Sequence, residues 1–98
     1  MTRHDAILLI GKLAPQAQAL GVTGLYLFGS TARDEAAAAS DLDVFVEYDP
    51  SRPFSLLDLI RVKHLIEDAG APSVDISTRT GLHPALREAI EREAIRVV

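Results

Sequence analysis

Between Asp5 and Leu20 the apolar residues Ile7, Leu8, Ile10, Leu13, Ala14, Ala17 and Leu20 recur at three- and four-residue intervals, the spacing that gives a helix one broad apolar face. Pro15 falls inside this run. A proline in a helix interior costs about 3 kcal/mol, so the pattern predicts a kink or a short second helix opening near Pro15, with Gly21 as the stop. The spacing then shortens. Gly24-Leu25-Tyr26-Leu27-Phe28, closed by Gly29, reads as a buried strand with Tyr26 and Phe28 in the core. Ser30-Thr31-Ala32-Arg33 opens a helical turn with Ser30 as N-cap, and residues 34–40 read as a helix end or a loop. Asp43 to Tyr48 forms a second strand, stopped by Asp49-Pro50.

From Ser55 the helical period returns, with Leu56, Leu59, Val62, Ile66 and Ala69 as the inward stripe and Gly70 as the C-terminal stop. Ser73 to Ser77 is a third strand, Arg79-Thr80-Gly81 turns the chain, and His83-Pro84 starts a last helix. Its inner face, Leu86, Ala89, Ile90 and Ala94, is expected to run to the C-terminus. The order αβαβαβα predicts an α/β (α+β) fold of two layers, a small mixed sheet with helices on one side.

Length and composition narrow the setting. The 98 residues suit one domain, 1–98, and 48% hydrophobic with 24% charged residues is the balance of a folded globular chain. There is no cysteine, which excludes disulfides, thiolate metal sites and cysteine nucleophiles. No apolar stretch approaches the roughly 18–20 residues that span a bilayer, and the protein is expected to be cytoplasmic. A net charge of −4 without a basic cluster argues against a long nucleic-acid footprint. It leaves room for a nucleoside triphosphate if divalent cations supply positive charge.

The acidic residues point the same way. Asp41 and Asp43 stand two apart at the head of a strand, so they can share one face while Leu42 faces the other. Two such carboxylates repel unless a cation holds both ionised. Asp75, between Val74 and Ile76, leaves its strand on the face opposite to both. If the third strand lies beside the second, three carboxylates converge as hard oxygen ligands suited to Mg²⁺, and such a site can bridge two metal ions for in-line phosphoryl transfer. Gly29 and Ser30, between strand and helix, offer backbone N–H groups and a hydroxyl to an anion, and Arg33 returns to a similar side one turn on. Arg79 could serve phosphate or structure equally. His64 and His83 have no assigned role, and Glu88, Glu91 and Glu93 read as a solvated face of the last helix.

Leu27-Phe28-Gly29-Ser30-Thr31-Ala32-Arg33, then Ser40-Asp41-Leu42-Asp43, then Val74-Asp75, resembles the minimal nucleotidyltransferases of the DNA polymerase β superfamily, including MntA-type antitoxins. Their pattern is Gly-Ser, ten residues, then Asp-x-Asp, and Thr31 to Ser40 has that length. The resemblance runs from about Leu20 to the C-terminus. It implies that Asp41 and Asp43 ligate both metals, that Asp75 ligates the metal beside the attacking hydroxyl, and that Gly29 and Ser30 grip the outgoing phosphates of ATP. It further implies a HEPN-type ribonuclease toxin as partner, neutralised by AMP attached to a tyrosine, in a hetero-oligomer or homo-oligomer. The alternative is an antitoxin of weak or no activity that acts by binding alone. One departure stands out, because the family usually has glycine after the arginine and this chain has Asp34.

Overall fold

The computed structural model describes residues 1–37 and 40–98. Helix α1, Arg3–Gly11, starts at Thr2, whose Oγ1 accepts the N–H of Asp5 at 3.0 Å. Of the two outcomes expected at Pro15, the chain takes the second. A separate helix α2, Ala14–Ala19, places the proline in its first turn, where no N–H is required. Strand β1, Val22–Phe28, runs into the four-residue helix α3, Gly29–Ala32. Strand β2 covers Leu42–Tyr48, α4 Leu56–Asp68, β3 Val74–Thr78, α5 Pro84–Glu93 and β4 Ile95–Arg96. A single 3-10 turn, Arg79–Gly81, joins β3 to α5.

The strands form one mixed sheet in the order β3-β2-β1-β4. β1 is antiparallel to both β2 and β4, whereas β2 and β3 are parallel and joined across α4. One face of the sheet carries the core. Leu25 and Leu27 of β1, Leu42, Val44 and Val46 of β2 and Val74 of β3 pack with Ala6, Ile10, Ala17, Val62 and Ile66 from α1, α2 and α4. These helices therefore cover the same side, as the two-layer expectation required. No helix among the described residues is long and apolar enough to cross a membrane.

The other face differs from expectation. Because Leu25 and Leu27 turn inward, strand alternation sends Tyr26 and Phe28 outward, so neither is in the main core. They build a second cluster around Phe45, which is fully buried although it faces away from the helices. Tyr26 stacks on Phe45 with ring centroids 4.7 Å apart, Phe28 meets it at 5.7 Å, and the Arg79 guanidinium lies 5.2 Å above it. Part of the sheet's open face is thus roofed by side chains from its own strands and from the 3-10 turn.

Three further expectations are corrected. Leu56 is 73% exposed and Ala69 is exposed, so the buried stripe of α4 reduces to Val62 and Ile66 with Leu59 partly covered. The last helix buries none of its residues and stops at Glu93, and β4 takes the place of its expected final turn. Two residues are too few to show a strand period; what makes them a strand is pairing with β1, Leu27 opposite Ile95 and Tyr26 opposite Arg96. Ser30 is not an N-cap, since α3 begins at Gly29 and Phe28 precedes it without a side-chain cap. Arg33 and Asp34 form a turn, residues 35–37 have no regular secondary structure, and Ala38 and Ala39 lie outside the described residues.

Candidate active site

The corner between β1 and α3 is shaped by a close approach. Phe28 is paired with Asp43 across the antiparallel ladder, and Gly29 follows with φ +72°. A Cβ on Gly29 would lie 3.0 Å from Asp43 Cγ and nearer still to a carboxylate oxygen. Glycine satisfies both demands at once, having no penalty at positive φ and no Cβ to displace the aspartate. Ser30 stands in the first turn of α3, its C=O accepting the Glu35 N–H at 2.8 Å, while Thr31 and Ala32 are buried beneath it.

Asp43 of β2 and Asp75 of β3 are direct partners in the parallel ladder and so share the open face. Asp41 lies just before β2 rather than within it, exposed, with the buried Leu42 between it and Asp43. Burial, and then the charges of Asp75 and Asp41, push the Asp43 carboxyl above its ordinary range, with Arg33 pulling the other way. Among the described residues no three acidic or histidine side chains are closed about a point that could hold a metal ion. The donor set nevertheless fits a hard dication. All three candidates are carboxylates, and their mutual repulsion is what a cation would relieve.

Arg33 ends α3 with its side chain 46% exposed, and its guanidinium lies between two acids, Nη1 donating to Glu93 at 2.9 Å and Nε to Glu35 at 3.3 Å. The other Glu93 oxygen accepts the N–H of Gly29 at 3.0 Å. Glu93 is therefore no part of a solvated helix face; its side chain is only 28% exposed. Sequence reading missed it, although one signal was present. It is the last residue of its helix, where the macrodipole disfavours an anion. Glu88 and Glu91 do lie on the surface of α5, paired with Arg92 and Arg87.

Asp34, where the motif resemblance led to an expectation of glycine, is the one described non-glycine residue with positive φ, 59°. Its carboxylate accepts the N–H of Arg3 at 3.0 Å, in the first turn of α1. The added charge thus serves a helix N-terminus, where an anion is favoured. Arg79 does not join Asp43 and Asp75. It lies over Tyr26 and Phe45 and reaches Glu47 at 3.4 Å, with Nε buried and unpartnered. His64 is exposed on α4, and His83 caps α5 by accepting the Ala85 N–H at its Nδ1.

The chain, a two-layer fold with Asp43 and Asp75 paired beside the Gly29 corner, belongs to the nucleotidyltransferase domain family, whose pattern matches residues 10–97. It is 38% identical over 87 residues to a Methanocaldococcus jannaschii protein named as a candidate protein adenylyltransferase, covering 89% of this chain and 91% of that one. A second protein of that organism, named likewise, is 34% identical over 77 residues, covering 78% and 76%. Among solved structures, one described as a candidate minimal nucleotidyltransferase superposes with a TM-score of 0.81 at 36% identity, covering 97% of this chain and 95% of that one. The chain is a nucleotidyltransferase with the fold of the minimal members.

Proposed function

We propose that the chain transfers AMP from ATP, with Mg²⁺, to a hydroxyl of a partner protein, and that the partner is a helical HEPN-type toxin that the transfer neutralises. The observation that carries the reading is the register of Asp43 with Asp75 on the open sheet face, at the end of the sheet where the Gly29 corner meets β2. Protein adenylylation is supported by the names of the relatives, and the toxin partner by the resemblance of the Gly-Ser and Asp-x-Asp motifs to MntA-type antitoxins.

Asp41, Asp43 and Asp75 would hold the metal ions. Bound Mg²⁺ supplies charge neutralisation on the triphosphate and on the entering and leaving oxygens. The chain's own residues do the positioning. The Ser30 hydroxyl and the Arg33 guanidinium bind the β- and γ-phosphate oxygens and set the leaving pyrophosphate in line. The buried Leu42 anchors the backbone between Asp41 and Asp43. Asp75, more exposed than Asp43, would stand beside the acceptor hydroxyl, as the motif resemblance implies. The new P–O bond forms between that hydroxyl oxygen and the α-phosphorus as the bond from the α-phosphorus to the α,β-bridging oxygen breaks, pyrophosphate leaving with that oxygen and the hydroxyl proton passing to solvent.

The test is incubation of the chain with its HEPN partner, Mg²⁺ and ATP, followed by intact-mass analysis of the partner. Adenylyl additions that vanish in Asp41→Asn/Asp43→Asn are expected. Absence of any addition by the wild type, with toxin neutralisation retained by the double variant, would establish the binding-only alternative instead.

A further inference from the structure

We propose that Glu93 is a positioning residue for the nucleotide phosphates, acting through Gly29 and Arg33 without touching the substrate itself. This inference rests on the functional reading above. One carboxylate oxygen of Glu93 takes up the backbone N–H of Gly29, and the other holds the guanidinium of Arg33, so a single side chain from the far end of the sequence ties the corner that carries Ser30 to Arg33, the other group proposed to bind phosphate.

The placement of Glu93 is itself constrained from both sides. It closes α5, and β4 follows after one residue, with Ile95 paired to Leu27. Leu27 is two residues before Gly29, so the short β4 pairing registers Glu93 against the corner it holds. Two unfavourable electrostatic terms oppose an acid here: the carbonyl end of α5, and Asp43, whose carboxyl Glu93 helps to push up. Set against them are two charge-assisted hydrogen bonds, each stronger than a neutral one. Arg33 is long and half exposed, and an unpinned arginine loses rotamer freedom each time it closes on a phosphate. Glu93 restricts that freedom in advance, while Arg33 Nη2 is not used in its pairings with Glu93 and Glu35.

The experiment titrates α,β-methylene-ATP, which cannot be transferred, with Mg²⁺ into the wild type, Glu93→Gln, Glu93→Ala and the surface control Glu88→Gln, well below their unfolding temperatures. Loss of the clamp is expected to weaken binding about tenfold in Glu93→Ala and about threefold in Glu93→Gln, whose amide oxygen still accepts from Gly29, with the control unchanged. A merely structural role would instead lower the fraction of binding-competent molecules at constant Kd, which the titration stoichiometry separates from a change in affinity. Tighter binding by Glu93→Gln would overturn the proposal, because the carboxylate would then be competing with phosphate for the same donors. Unchanged affinity in both variants overturns it as well. If the wild type itself binds no analogue, the phosphate site and this inference fall together; if it binds and the variants match it, only this inference falls.

Discussion

Gly29 and Asp43 are fitted to each other: the space a side chain would need at Gly29 is occupied by the carboxylate of Asp43. Gly29→Ala therefore combines positive-φ strain with displacement of a proposed metal ligand. We expect a loss of about 2–3 kcal/mol of stability, read from the urea midpoint. Adenylyl transfer should fall at least about 100-fold, because displacing a group near the reacting atoms is costly even when the chain still folds. A variant with wild-type midpoint and activity would refute the fitted corner.

Asp43 is expected to weaken the metal-free fold. Its carboxyl is raised, so its favourable share of stability is present below the usual carboxylate range and is lost as pH rises through the folded value. At pH 7 Asp43→Asn should therefore melt above the metal-free wild type, and the gap should close as pH drops below about 4. Adding Mg²⁺ should raise the Tm of the wild type and leave that of Asp43→Asn unmoved. Scanning calorimetry over a pH series with and without Mg²⁺ checks all three.

How much of this was legible in sequence follows from what each residue depends on. Asp43, Asp75 and Gly29 are readable because local alternation and motif spacing place them on their strands and at the corner. Glu93 was not, because its role is created by a pairing between β4 and β1 across the length of the chain. Tyr26 and Phe28 were assigned to the core because both are large and apolar. Strand parity overrode hydrophobicity and left them roofing the second face with Phe45. Leu56 misled in the opposite way: its spacing is helical and inward, yet it precedes the part of α4 that meets the sheet.

Asp34 gives a paired prediction. Glycine there removes the left-handed strain and also removes the bond to Arg3, so Asp34→Gly should stay near the wild type in stability. Alanine keeps the strain and loses the bond. Asp34→Ala is expected to lose about 1–2 kcal/mol. Transfer activity should be nearly unchanged in both, and an activity gain in Asp34→Gly would show instead that the carboxylate repels the triphosphate.

The N-terminus of α4 offers a test far from chemistry. Ser55 and Asp58 form a reciprocal capping box, and the Ser55 backbone N–H, first among its partners, holds the Asp58 carboxyl below the ordinary value. The sign is opposite to that of Asp43. Stability from Asp58 is present above the usual carboxylate range and is lost as pH falls through its lowered value. Ser55→Ala should cost about 1 kcal/mol at pH 7 without altering transfer. In Asp58→Asn the acid-side decline of Tm should be shallower than in the wild type.

The parallel pairing of β2 with β3 has a kinetic meaning. Asp43 can meet Asp75 only after the chain has crossed through the 13-residue α4 and that helix has docked, whereas β1 and β2 pair antiparallel without any such helical crossover. Val62 and Ile66, both fully buried, anchor the crossover that brings these like charges together. A partly folded chain that has formed only its β1–β2 pair would hold the Gly-Ser corner and Asp43 but lack Asp75, so the capacity for chemistry would depend on a second, longer-range pairing rather than on the first.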